Sequence, residues 1–394
     1  MVSSVSQHTA PAESYSRWIR RVIGIARSGG RVILPLFEST VPEPRELLTD
    51  LVREAFAEPV TDRYTSAFAA GNPYVNAALA STYGVSAAHI LCTTGATGAI
   101  ALLYRALLQP GDHVLVETPG FDLLGMLASE QGAQVSTFLR PGPGFAIDVD
   151  RIAAALTPRT RLVVLTNLHN PSGLAADHEA LQDLAELAQA RGFRVIVDEV
   201  YGDFATAEER PVPACRISPH FISVSSLTKA FGLSTLRCGW IVADPAVIAI
   251  VRDLADRTEF GISNLTHALA ALVLERRDQF SAYSSDVLSA ARQIADRHFA
   301  EWEKAGLIAG TLPKSGCIAF PRLVGIDDTL AFADDLFART GVTVVPGEFF
   351  GAAGHVRIGF GLPVSKVEPA FAMLGEALHA ARSGSGVRPL TRVL

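Results

Sequence analysis

Six short apolar runs separated by stretches of helical periodicity occupy the sequence between about Ala87 and Ala243. They are His89-Ile90-Leu91-Cys92, His113-Val114-Leu115-Val116, Arg161-Leu162-Val163-Val164-Leu165, Arg194-Val195-Ile196-Val197, Phe221-Ile222-Ser223-Val224 and Gly239-Trp240-Ile241-Val242. Runs this short, without polar alternation, read as strands buried on both faces. Between the third and fourth, Leu181, Leu184, Leu187 and Ala188 recur at helical spacing, and Gly192 after Arg191 supplies a left-handed stop. The rhythm is strand, helix, strand. It predicts an α/β fold with a mostly parallel central sheet flanked by helices, in which ligands bind beyond the carboxyl ends of the strands. Functional residues are therefore expected just after the apolar runs.

A second texture follows. The stretch Asp286 to Lys304, ending at Gly306, reads as a long helix, and short strands are expected around Cys317-Ile318-Ala319-Phe320, Val342-Thr343-Val344-Val345 and His355-Val356-Arg357-Ile358. The 394 residues thus divide into an N-terminal arm and part of a small domain (1–47), a large domain (48–285), a smaller α+β domain (286–382) and a flexible tail (383–394). With 34 Lys+Arg against 40 Asp+Glu the formal charge is −6, which supplies no field for nucleic acid or an anionic membrane. No apolar run approaches the roughly 18 residues that span a bilayer, and no signal-peptide pattern is present, so a cytoplasmic protein is expected. Cys92, Cys215, Cys238 and Cys317 form no C-x-x-C pair and are expected to be reduced; the ten histidines show no metal-ligand spacing.

Four of the apolar runs end in chemistry. After the first comes Thr93-Thr94-Gly95-Ala96-Thr97-Gly98, small residues opening a helix whose free N–H groups suit a phosphate. The spacing matches neither the dinucleotide nor the P-loop fingerprint. The third run is followed by Asn167, His169, Asn170 and Pro171, and the fourth breaks into Asp198-Glu199-Val200-Tyr201. After the fifth, Ser225-Ser226-Leu227-Thr228-Lys229 sets Lys229 among apolar neighbours, where burial lowers its pKa and frees the amine as a nucleophile. A lysine anchor, an acid for a pyridinium nitrogen, a phenol for a ring oxygen and a phosphate cradle are together what pyridoxal phosphate needs.

This ordered set resembles the class I/II aminotransferases of the fold-type I pyridoxal-phosphate enzymes, over about Leu34 to His379. The matches are Gly95-Ala96-Thr97, Asn170-Pro171-Ser172-Gly173, Asp198 with Tyr201, Ser226 and Lys229 with Arg237 eight residues on, and Arg357 in Val356-Arg357-Ile358-Gly359. The resemblance implies that Lys229 carries the cofactor as a Schiff base and shuttles the substrate proton, and that Asp198 keeps the ring nitrogen protonated. It implies that Asn170 and Tyr201 bind the ring oxygen, that Phe121 stacks on the ring, and that Gly95, Ala96, Thr97, Ser226 and Arg237 hold the phosphate. Arg357 would grip the substrate α-carboxylate. Tyr64, before Gly71-Asn72, resembles the tyrosine that reaches the neighbouring subunit's phosphate, which implies a homodimer with shared sites.

One segment departs from the family pattern. Where many relatives have a G-E-P-D-like stretch, this chain reads Leu36-Phe37-Glu38-Ser39-Thr40. Phe37 there would crowd the substrate pocket and Glu38 could meet a basic side chain; a core Phe and a solvated Glu are the alternative. The expected activity is transfer of an amino group from an L-amino acid to a 2-oxo acid by a ping-pong route. The near rival is a lyase or cyclase on the same scaffold. Ser226-Leu227-Thr228-Lys229 is also the S-x-x-K of penicillin-recognising serine hydrolases, but their S-D-N and K-T-G companions do not occur. A catalytically silent binding protein would be expected to lack the lysine or the aspartate.

Overall fold

The computed structural model describes residues 13–28, 32–66, 71–206, 208–259 and 261–383. The expected flexible tail falls, from Gly384 on, outside the described residues, as do the first twelve positions. Seven strands form the central sheet: β1 (Ile90–Thr93), β2 (His113–Thr118), β3 (Gln134–Leu139), β4 (Thr160–Thr166), β5 (Arg194–Asp198), β6 (Phe221–Ser226) and β7 (Gly239–Val242), in the order β1-β7-β6-β5-β4-β2-β3. All pairings from β3 through β6 are parallel, while β7 runs antiparallel to both its neighbours. The sheet is mostly parallel, as the apolar runs predict. Its inner strands carry Val163, Val164, Val195, Ile196, Ile222 and Ile241 at essentially zero exposure, each such side chain contributing about 1.5–3 kcal/mol of burial.

Strand β3 had no counterpart among the apolar runs. It is the sheet edge, largely solvent-facing, and its sequence Gln-Val-Ser-Thr-Phe-Leu carries polar groups accordingly. The helix His178–Arg191 starts on Asp177, whose side chain accepts from the Glu179 N–H, and stops at Gly192 with φ +74°.

The helix Arg277–Lys304 begins nine residues before the expected start and leads into the small lobe. That lobe holds β8 (Ile308–Ala309) paired with β10 (Arg322–Leu323), and a three-stranded antiparallel sheet β11-β12-β9 from Val345–Pro346, Val356–Gly359 and Ile318–Ala319. Trp302, Phe299, Phe371 and Leu374 fill its core, with Trp302 stacked on Phe371 at 5.4 Å. The N-terminal segment belongs to this core: Leu34 bridges to Val342, and the Gly359 N–H donates to the Leu36 carbonyl at 2.6 Å. Four residues later the same segment reaches the large lobe, where the Thr40 hydroxyl donates to the Thr228 and Lys229 carbonyls. It is a strap between the lobes. Among the described residues no helix is long and apolar enough to cross a membrane, and Cys92, Cys215, Cys238 and Cys317 are unpaired thiols.

Candidate active site

The sheet brings the distant motifs to one edge. Register pairs Thr166 with Asp198 and Asp198 with Val224, so the carboxyl ends of β4, β5 and β6 lie side by side. Because β7 is antiparallel, its first residue, Gly239, sits at that edge too, opposite both Ser226 and Thr93. The Gly95 helix start, Asn170, Asp198, Tyr201, Ser226, Lys229 and Arg237 all follow from these strand ends.

At β1 the helix Gly95–Leu107 begins with Gly95 in the left-handed region, φ +83°. A Cβ on Gly239 would stand 2.4–2.7 Å from the Gly95 and Ala96 backbone, so only glycine lets β7 pass under the helix start. Arg237 presses on the same place: its Nη2 donates to the Thr94 carbonyl at 3.3 Å, and the residue itself holds an unusual φ of +48°. A fixed guanidinium, the first N–H groups of a helix and the exposed Thr97 hydroxyl make an anion cradle. Ser226 is buried beside it and accepts from the Thr228 N–H at 3.3 Å.

Asp198 is buried at the end of β5, with Oδ1 accepting from the Val200 N–H at 3.1 Å. Burial pushes its carboxyl up to about 6, against the pull of Lys229. Lys229 is partly buried, and burial holds its amine below the ordinary lysine value. Its Nζ donates to Ser39 Oγ at 2.9 Å and lies 5.5 Å from the Tyr201 ring centroid. The Ser39 hydroxyl also hydrogen-bonds the Tyr201 phenol, which burial pushes up to about 12.

The opposite wall comes from the small lobe. Arg357 on β12 is 1% exposed; Nη1 donates to Asn170 Oδ1 at 2.9 Å, Nη2 to the Tyr15 hydroxyl at 2.9 Å and to the Phe37 carbonyl at 3.2 Å, while the buried Nε has no partner. Asn170 is fixed from behind: its N–H donates to Thr166 Oγ1, which donates to Glu117 Oε1, and Glu117 pairs with Arg140 at 2.7 Å in the protein interior.

Phe121 precedes the helix Asp122–Glu130 and meets Tyr15 edge-on at 5.9 Å. The Phe37 ring packs in a core cluster with Trp18, Phe349 and Phe350, the core alternative, while its carbonyl accepts from Arg357. Tyr64 is half-exposed and packs against Phe56. Sequence reasoning missed Tyr15, Ser39 and Thr40. For Tyr15 a signal existed: Tyr15, Trp18, Ile19 and Val22 have amphipathic helical spacing behind the cap Ser14.

A family model described as aminotransferase class I and II matches residues 48–374. The chain is 34% identical over 324 residues to capreomycidine synthase of Streptomyces vinaceus, covering 80% of this chain and 82% of that protein. It is 31% identical to an arginine–pyruvate transaminase of Pseudomonas aeruginosa, covering 70% and 71%. The structure of N-succinyldiaminopimelate aminotransferase from Mycobacterium tuberculosis superposes with a TM-score of 0.80 at 25% identity, covering 95% of this chain and all of that one.

Proposed function

The chain belongs to the class I and II aminotransferases and is a pyridoxal-phosphate-dependent enzyme, and on that premise we propose that it moves the amino group of an L-amino acid to a 2-oxo acid in two ping-pong half-reactions. The residues present fit the cofactor: the cradle that a Cβ on Gly239 would obstruct takes a phosphate, and a buried carboxylate lies across the strand ends from it. Bound there, pyridoxal phosphate supplies an aldehyde that condenses with amines and a protonated pyridine ring that withdraws electrons from the substrate α-carbon.

In this reading Gly95, Ala96 and Thr97 donate N–H groups to the phosphate, Thr97 and Ser226 add hydroxyls, and Arg237 adds charge. Asp198 holds the proton on the ring nitrogen. Asn170 has its Oδ1 committed to Arg357, which leaves its amide N–H groups, with the Tyr201 hydroxyl, for the ring oxygen; Phe121 packs on the ring face. Lys229 Nζ anchors the cofactor and, once displaced, carries the proton from the substrate α-carbon. The Arg357 fork, whose Nε is unpartnered, grips the α-carboxylate. Tyr64, exposed in one subunit, reaches the phosphate of the next in a homodimer. Four unpaired thiols support a cytoplasmic location.

The observation that carries the reading is the Arg357–Asn170 contact, 2.9 Å across the lobes and beside Lys229. It sets a carboxylate clamp next to a buried nucleophilic amine. The test is an absorbance spectrum of the cofactor-loaded protein before and after borohydride, with mapping of the modified peptide, then titration with L-amino acids. Reduction onto Lys229 and conversion to the colourless amine form with stoichiometric oxo acid are expected. An unmodified Lys229 refutes the assignment.

A second reading, cyclisation or elimination on the same scaffold, is supported by the 34% identity to a protein named as a synthase. It predicts consumption of the amino acid without conversion of the cofactor to its amine form: cyclisation yields no oxo acid, whereas elimination releases ammonia together with pyruvate.

A further inference from the structure

We propose that Tyr15 is a second ligand of the substrate α-carboxylate, its phenol O–H donating to the carboxylate that Arg357 grips; this rests on the aminotransferase reading above. The helix Tyr15–Arg27 begins where the two lobes face each other. Ser14 caps it, and the Tyr15 N–H donates to Asp122 Oδ2 of the large lobe at 3.1 Å. On that side the ring meets Phe121 edge-on at 5.9 Å; on the other it packs against Phe349 and Phe350 of the small lobe at 6.1 and 6.0 Å. The phenol is thereby held at Arg357, whose guanidinium carbon lies 5.4 Å from the ring centroid and whose Nη2 donates to the hydroxyl at 2.9 Å. It also acts on Lys229: burial lowers that amine, and Tyr15 is foremost among the groups that raise it again.

The donor inventory of Arg357 makes the hydroxyl part of the carboxylate site. Each edge of a guanidinium that can take both oxygens of a carboxylate includes a hydrogen of Nη2. That nitrogen, with a pair of hydrogens to give, already donates to the Tyr15 hydroxyl and to the Phe37 carbonyl; Nη1 donates to Asn170, and Nε has no partner. A bidentate carboxylate therefore has to replace one acceptor at Nη2. The Phe37 carbonyl is backbone of the strap, which its neighbour Leu36 ties to Gly359 at 2.6 Å, whereas the phenol hydrogen can rotate about its own C–O bond. Among the described residues no acceptor takes that hydrogen. Released from Nη2, the hydroxyl turns from acceptor to donor toward the oxygen that displaced it. The exchange trades an arginine–hydroxyl bond for bonds from both groups to a carboxylate, which are the stronger, charge-assisted kind. Every L-amino acid carries this carboxylate, so the contact serves donors of any side chain alike.

The experiment titrates the cofactor-loaded wild type and Tyr15→Phe, which keeps the ring, with L-norvaline, with n-butylamine, which is norvaline without its carboxylate, and with pentanoate, which is norvaline without its amine. The cofactor spectrum reports the amines and calorimetry the pentanoate. Tyr15→Phe should weaken norvaline and pentanoate by about tenfold, the loss of one charge-assisted hydrogen bond, and leave n-butylamine unchanged. In transamination to pyruvate it should raise KM for the amino acid with kcat little altered. An unchanged n-butylamine response shows that the variant keeps an intact site. Equal weakening of every ligand makes Tyr15 a packing residue and overturns the proposal. Tighter carboxylate binding by the variant, which would make the hydroxyl a plug in the clamp, overturns it too, as does carboxylate binding that does not change. If no L-amino acid converts the wild-type cofactor while pentanoate still separates the two proteins, the aminotransferase reading fails and the carboxylate contact stands.

Discussion

Asp198 should contribute stability to the cofactor-free protein in acid that is lost as the pH rises to neutral. Its carboxyl is buried with one N–H donor, and burial raises it from 3.8 to about 6. A raised folded-state value means that the folded chain holds the proton more tightly than the unfolded one. The stabilisation this gives is complete below the unfolded value and is lost as pH rises toward 6. At about 1.4 kcal/mol per pH unit, that loss amounts to about 3 kcal/mol. Asp198→Asn keeps an oxygen for the Val200 N–H but cannot ionise. Stripped of cofactor, the two proteins should therefore differ little at pH 4, and the variant should be the more stable by about 3 kcal/mol at pH 8. Urea unfolding at fixed protein concentration, read by tryptophan fluorescence, measures this directly. In cofactor titrations the order should invert, because the variant has no charge to hold a protonated ring nitrogen. Parallel pH profiles, or a variant less stable than the wild type at pH 8, would refute the desolvation argument.

Two further changes probe what stands behind the site. Glu117→Gln leaves the Arg140 guanidinium, 1% exposed, without its carboxylate, which should cost about 3–5 kcal/mol, and it loosens the Thr166 hydroxyl that seats Asn170; a loss under about 1 kcal/mol in thermal or urea unfolding would mean water reaches the pair. Ser39→Ala removes the side-chain acceptor of Lys229 Nζ. Since that bond favours the ammonium, the already lowered lysine pKa should fall further; the midpoint of amine labelling against pH in the cofactor-free chain should move down, and an unchanged or higher midpoint contradicts the assigned bond.

The large lobe was legible because its physics is local and periodic. Strands buried on both faces leave uninterrupted apolar runs, and residues directly after such runs must lie at one edge of a parallel sheet, so Asn170, Asp198 and Lys229 were brought together from three separate stretches of sequence. The same logic fails for β3, an edge strand whose outward side chains are polar, and for the short small-lobe strands, where β9 and β11 span only two residues each. Phe37 shows another limit. The sequence left Phe37 open between pocket and core; its ring packs with Trp18 in a core cluster, and the group that meets Arg357 is its carbonyl, which carries no residue signature.

What sequence reading missed has one cause: the residues that complete the pocket come from segments whose placement depends on the other lobe. Ser39 and Thr40 reach Lys229 from 190 and 189 positions away, and Tyr15 reaches Arg357 from 342 away. No periodicity encodes such contacts. Closing loops of this length costs only slowly more with each added residue, so short anchors suffice to fix them: the Leu34 bridge to Val342, the Gly359 bond to Leu36 and the Thr40 bonds to the lysine turn hold the strap at both ends. Side chains between the anchors add to them: Leu36 and Phe37 pack into core clusters and Ser39 accepts from Lys229. The catalytic edge is thus built by the sheet, while the strap and the Tyr15–Arg27 helix bring Ser39 and Tyr15 to it.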